Sequence, residues 1–417
     1  MINQRKRVLF YLLFSILFII VSIFLISMNN FPLPVSRGSD FIVQWLAAKA
    51  FAKENLSPYL PSVQTRTEEF VYGSKAASDE ERLKFSSPLY SVLVILPFAL
   101  ISSAKVAQFI WMVVLGVTLA AHLGIALRLN GWKPAIWLLF LLVAFVYLGF
   151  YNFQALASGS IIIIVALFIF LALLTIRFRR YELAGLLLAL ATIQPRAVLL
   201  VIIFILFWSL SKRLWRIAFW FFAGVAILFI IGLLFIPNWP IQYMQVIFSF
   251  MDYFPLNTPV AIFSSALPGM GKQLGWGLSL LMIILLIVEW FAARKKDFSW
   301  FLWTVSLTII VGQWVGIPAD LNDFVLMILP LVLILATLDR RFSRYGKWLA
   351  GASLVIFLGG LWGIYFLTYP NMSSLQQDRL FLFVFPLILL IGLYWVRWWA
   401  IRSHRDLINE LRVVEDY

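Results

Sequence analysis

Cysteine is absent from this chain, which removes disulfides, thiolate nucleophiles and cysteine-ligated metals at once. Histidine is nearly absent: His122 and His404 are the only imidazoles, too few to build a zinc site. Charge is scarce, at 12% of 417 residues, and no glycine-rich nucleotide loop, Asp-x-Asp pair, low-complexity tract or useful internal repeat is present. What fills the chain is apolar: 63% of residues are hydrophobic and 17% aromatic, much of it in runs near the ~20 residues a helix needs to cross hydrocarbon.

The net charge of +14 does not read as nucleic-acid binding. Lys and Arg fall in short bursts between apolar runs, the pattern that orients membrane helices. The bursts are Arg5-Lys6-Arg7, Arg177 to Arg180, Lys212-Arg213, Arg294 to Lys296, Arg340-Arg341 and Arg402 with Arg405. Placing all of them in the cytoplasm predicts an all-α polytopic protein with about twelve spans, at 8–28, 104–127, 134–150, 159–176, 181–193, 195–210, 214–236, 273–293, 298–316, 320–338, 346–367 and 379–400. The run before Met28 is long and lacks a small-residue cleavage site, so it reads as a retained first helix. Pro88 to Ser103 is too short for a crossing, and Gln194-Pro195 reads equally as a kink or a tight outer turn.

The chain forms one membrane domain, 1–417, with outer loops at 29–87, 151–158 and 237–272, short outer connections near Asp320 and Asp378, and a cytoplasmic tail at 401–417. In the first loop Phe41, Trp45, Ala48 and Phe51 recur at helical spacing, which predicts an amphipathic helix along the outer interface. Trp239 to Phe250 predicts a second.

The segments Gly38-Ser39-Asp40-Phe41-Ile42-Val43-Gln44-Trp45, Ser57-Pro58-Tyr59, Ser86-Ser87-Pro88-Leu89-Tyr90 and Leu96-Pro97-Phe98-Ala99 follow one another in a specific order. They resemble the GT87 (DUF2029) polyprenol-phosphate-mannose-dependent mannosyltransferases of the GT-C superfamily. Ala155 to Ser160 is similar to that family's Gly-Gln-x-Asn segment, and Ala184-Gly185 through Gln194-Pro195-Arg196 to its Ala-Gly and Lys-Pro stretch. Ser160 stands where Gln is usual and Gln194 where Lys is usual. The likeness covers about residues 1–210 and then thins to a similar helical layout.

The resemblance implies a GT-C-type bundle in the plasma membrane, with an active site on the extracytoplasmic side. There an inverting enzyme moves mannose or a related hexose from a polyprenyl-phosphate-linked sugar to a lipid or glycan acceptor. Such chemistry needs a carboxylate for the acceptor proton and a cation for the departing phosphate. Asp40 is the expected base; capping the helix that it opens is its alternative role. Arg196, with Arg66 and Gln194, is expected at the donor phosphate, and a guanidinium fork suits that task. Arg196 in an apolar stretch also reads as snorkelling to the interface, and Arg66 as solvating an acidic loop. Tyr59, Trp45, Asp252, Asp320 and Asp323 are the candidates for sugar or acceptor, against ordinary readings as belt aromatics, caps and loop residues. No metal site or cofactor is expected, although some GT-C members use a divalent cation. The partners expected are membrane lipids, the lipid-linked donor and its acceptor, with no nucleic acid. Two other classes are compatible with the same composition: a secondary transporter or lipid flippase, and an inactive lipid-binding relative.

Overall fold

The structure is a computed structural model that describes residues 4–28, 38–73, 83–253, 260, 263–264, 267, 269–315, 320–342, 345–369 and 374–402. Among them every regular element is a helix. Arg405, His404, Lys75, Arg82 and the loop acids near Asp79 lie outside the described residues.

Helix α1 (Gln4–Ser27) crosses against α6 (Ile136–Leu148) and α5 (Ala104–Leu129). The first loop contributes α2 (Ser39–Glu54), α3 (Pro61–Tyr72) and a 3-10 turn, Leu89–Ser91, running into α4 (Val92–Ala99). Then come α7 (Phe150–Ser158), α8 (Ile162–Arg177), α9 (Tyr181–Ala191), α10 (Pro195–Ser211), α11 (Trp215–Phe235) and α12 (Trp239–Tyr253). The C-terminal part adds α13 (Gly271–Ala293), α14 (Phe298–Gly312), a 3-10 segment Leu321–Met327 continuing into α15 (Ile328–Arg341), then α16 (Gly346–Thr368) and α17 (Ser374–Ala400).

Seven helices among the described residues are long and apolar enough to span, and α6 with α7, bent 45° at Gly149, makes an eighth if counted as one. The remaining four expected spans are α8, α9, α10 and α14, of 11 to 17 residues. At 1.5 Å per residue they measure roughly 16–26 Å, short of the ~30 Å hydrocarbon core. The described residues thus form an all-helical polytopic membrane protein, in which the span Leu321–Arg341 is the most buried of the full-length helices. Large apolar side chains stand exposed on the outer helices, such as Phe219, Leu234, Ile356 and Leu367, the faces that acyl chains cover.

Two local expectations are corrected. Residues 151–158, expected as an outer loop, form α7, and every residue from Phe150 to Ser158 is buried. Its backbone polar groups escape the cost of burial because the helix satisfies them internally. Helix α2 forms where the periodicity puts it, but it is not two-faced: Ile42, Leu46, Ala47 and Ala50 are buried along with Phe41, Trp45 and Ala48. A helix apolar around most of its circumference belongs in a core, and α2 packs on α4, α3 and α5. Helix α12 forms over Trp239–Tyr253, burying Trp239 and exposing Ile241, Met244 and Phe248. The Gln194-Pro195 ambiguity resolves as a break, since α9 ends at Ala191 and Pro195 opens α10.

Candidate functional site

Two glycines set the position of Asp40. Gly38 is the N-cap of α2 with φ 69°, and its amide donates to the Ala157 carbonyl at 2.8 Å. Gly159 closes α7 with φ 73°, and its carbonyl accepts from Trp111 Nε1 at 2.8 Å. Both adopt left-handed backbone that side chains rarely enter. Together they dock the N-terminus of α2 on the C-terminus of α7 and put Asp40 opposite Ser158. A Cβ at Gly159 would stand 2.7 Å from the Phe41 Cβ. Gly159→Ala is therefore expected to cost about 2–4 kcal/mol through backbone strain and overlap. A fall in the thermal unfolding midpoint of the purified protein measures it.

Asp40 is not the cap of α2. Its side chain makes no capping bond; instead Oδ2 accepts from Ser158 Oγ at 3.2 Å and from Asn322 Nδ2 at 3.0 Å. Ser160 adds a further side-chain hydrogen bond to the carboxylate. Burial and then the neighbouring Asp320 carboxylate push the Asp40 pKa up to about 6, against the opposing pull of the two serines and Arg196.

The 3-10 segment after Asp320 carries the rest. With three residues per turn, Asp320 and Asp323 share a side of the segment. They form a reciprocal cap: Asp320 Oδ1 accepts from the Asn322 amide at 3.0 Å, and Asp323 Oδ2 from the Asp320 amide at 3.2 Å. Arg196, in the first turn of α10, reaches both, with Nη2 at 3.4 Å from Asp320 and 3.7 Å from Asp323. Asp320 and Arg196 remain partly exposed, whereas the Asp323 side chain is 2% exposed. Asp40, Arg196, Asp320 and Asp323, drawn from three distant parts of the sequence, thus meet in one polar cluster. Three buried atoms there have no protein hydrogen-bond partner: Arg196 Nε, Asn322 Oδ1 and Asp323 Oδ1. One donor and two acceptors left over in a buried cluster suit a ligand carrying both hydroxyls and anionic oxygen.

Beside it is an aromatic wall. Tyr243 of α12 lies close enough to feel the Arg196 charge, although burial dominates and pushes its phenol up to about 12. Tyr59 packs on Tyr243 and Phe85 at ring-centre distances of 6.3 and 5.4 Å and donates to the Ser87 carbonyl at 2.8 Å.

Of the other expected residues, Arg66 and Trp45 are not brought to the cluster. Arg66 is held by Glu54 through bonds of 2.7 and 2.8 Å at an exposed site between α2 and α3. Trp45 is 2% exposed and donates to the Phe98 carbonyl at 3.0 Å, so its ring is core packing and offers no face to a sugar. Gln194 supplies the backbone N-cap of α10, positioning Arg196, and its side chain is half-buried. Asp252 falls in α12, but its side chain lies outside the described residues. The sequence alone assigned no role to Ser158, Asn322 or Tyr243; Ser158 carried a signal as part of the Ala155 to Ser160 segment, and Asn322 as a polar residue inside Asp320-Leu321-Asn322-Asp323. Among the described residues no group of three carboxylates or imidazoles is arranged to hold a metal ion.

No protein-family profile matches the chain, and neither a curated protein nor a solved structure matches it.

Proposed function

We propose that the chain is an inverting glycosyltransferase that moves mannose or a related hexose from a polyprenyl-phosphate donor to a lipid or glycan acceptor at the extracytoplasmic face of the plasma membrane. The observation that carries the reading is the convergence of Asp40 with Arg196, at opposite sides of a cluster that retains unpartnered buried donor and acceptor atoms. The first was expected as base and the second as phosphate ligand, and they come from segments 156 residues apart.

The acceptor hydroxyl attacks the anomeric carbon while Asp40 takes its proton. The bond from that carbon to the phosphate oxygen breaks, and the electron pair leaves on the phosphate. Arg196 receives the developing charge, exchanging part of its pairing with Asp320 for a bidentate contact to phosphate. Asp323 and Asn322 hold sugar hydroxyls through their free oxygens, and Tyr243 with Tyr59 lines the approach. A donor carried by a membrane lipid explains the polytopic setting, since its reactive phosphate never leaves the interface.

Purified protein in liposomes, supplied with radiolabelled polyprenyl-phosphate-mannose and related polyprenyl-phosphate hexoses, is expected to form labelled glycolipid or glycan. Uptake of substrate without bond formation assigns the cluster to transport instead, and no turnover with any donor removes the enzyme reading. A base with a pKa of about 6 further predicts a pH profile: the rate rises with pH as Asp40 ionises, with an inflection near pH 6, and falls about tenfold for each unit below it. Initial rates between pH 4.5 and 8 check it.

A further inference from the structure

Three helical runs tie the Asp40 cluster to a second, strongly basic site. Helix α8 starts just after Ser160 and ends at Arg177; α10 starts at Arg196's turn and ends before Lys212; the run Leu321–Arg341 starts at Asp320 and ends at Arg340-Arg341. Those runs of 16, 17 and 21 residues, the last with a 3-10 first part, place the two sites roughly 24–35 Å apart. At the far end the helix termini enclose a cavity of about 1130 Å³, at or just above the upper end of the ~300–1,000 Å³ usual for small-molecule sites.

Seven of its lining residues are cationic and one, Asp297, is acidic. Arg177 and Arg340 are committed to structure, donating to the Arg128, Leu129 and Asn130 carbonyls at the end of α5. The others frame the opening. Lys212, Arg341 and Arg402 lie over the rings of Trp208, Trp399 and Trp398, at 6.0, 5.3 and 3.5 Å from the centroids. Tryptophan at this level, with a cation stacked on it, is the composition of a membrane interface.

Helices α5 and α8 end in the same motif, in which the last residue's amide reaches back five positions: Trp132 to Leu127 and Arg180 to Thr175. The left-handed residue of that motif is Gly131 in α5, at φ 59°, but Arg179 in α8, at φ 60°; α10 ends the same way at Arg213, φ 59°, which does not line the cavity. Glycine is the unstrained choice at such a position, and Arg179 lines the cavity whereas Gly131 does not.

We propose that this cavity binds a phosphate-bearing anionic headgroup, held by Arg179, Lys212 and Arg341, on the side that the charge bursts put in the cytoplasm. The inference is independent of the glycosyltransferase reading. The excess of cations over Asp297 calls for an anion, guanidinium forks suit phosphate oxygens, and a cavity between helix ends at the interface admits a headgroup with its first acyl carbons.

Full-length protein in detergent, titrated with phosphatidylglycerol, phosphatidylcholine or inorganic pyrophosphate and read by native mass spectrometry, tests it. Each cation at an anionic interface is worth about fivefold in affinity. Wild-type protein is expected to prefer phosphatidylglycerol; Arg179→Gly to lose about fivefold, and Lys212→Gln/Arg341→Gln about 25-fold. Arg179→Gly relieves backbone strain, so its unfolding midpoint holds or rises while binding falls, which a merely structural arginine would not show. Pyrophosphate that competes at micromolar concentration assigns the site to a free phosphate ligand, and failure to compete assigns it to lipid. Equal binding of the two lipids with no pyrophosphate bound, or unchanged binding in both variants, overturns the proposal.

Discussion

Replacing Asp40 by Asn is expected to lower glycosyl transfer by about 10²–10⁴-fold, the usual contribution of a general base, while leaving the protein folded or more stable than before. The two halves of that outcome have one cause. Asn keeps an oxygen that accepts from Ser158 and Asn322, so the tie between α2, α7 and the 3-10 segment survives. What it removes is a carboxyl whose pKa the fold raises from the ordinary 3.8 to about 6. A group with a raised folded pKa stabilises the fold while protonated, below about pH 4, and that contribution is lost as pH rises through about 6. At pH 7 the ionised carboxylate therefore works against folding, by roughly 1–3 kcal/mol once its partial contact with solvent is allowed for. The unfolding midpoint of Asp40→Asn should rise at pH 7 and match wild type near pH 4. Retained transfer in this variant takes Asp40 out of the mechanism; loss of transfer with a collapsed midpoint at pH 7 makes it structural.

The same residue shows how far the sequence reaches. Arg196 was legible because a charged residue inside a long apolar run is costly and needs a reason to be there, and Asp40 because its segment resembles a family motif. Asp320 and Asp323 were legible as outer-facing acids, but their union with Arg196 was not, because pairing across 124 residues leaves no local pattern. Helix α7 was misread for a related reason: Asn152, Gln154 and Ser158 look like loop residues, and only tertiary packing turns them inward. Trp45 was misread in the opposite direction. An aromatic at the edge of an apolar run has the same sequence signature in a lipid belt, on a sugar or in a core, and the closure of α4 over α2 decides between them. Arg66 follows from its loop's composition: with Glu54 twelve residues away, its charge is met locally before any ligand can claim it.

Arg196→Gln carries the second large effect, and it falls on stability as much as on transfer. The guanidinium stands between Asp320 and the almost fully enclosed Asp323, and removing it leaves that buried carboxylate without its counter-charge. Breaking a buried pair in this way costs up to about 3–5 kcal/mol, because the surviving carboxyl must either stay charged without solvent or take up a proton. The partly exposed Asp320 softens the loss, so the lower end is expected. Asp323→Asn in the same chain should restore most of it: Asn keeps an oxygen for the Asp320 amide, which the reciprocal cap requires, and removes the stranded charge. If Arg196 also receives the departing phosphate, the double variant regains its unfolding midpoint but not its transfer rate, and Arg196→Lys, a point charge without the fork, falls between. Unfolding and single-turnover transfer measured on the same three proteins separate the roles: recovery of both in the double variant would leave Arg196 as a counter-ion alone, and recovery of stability alone gives it the phosphate.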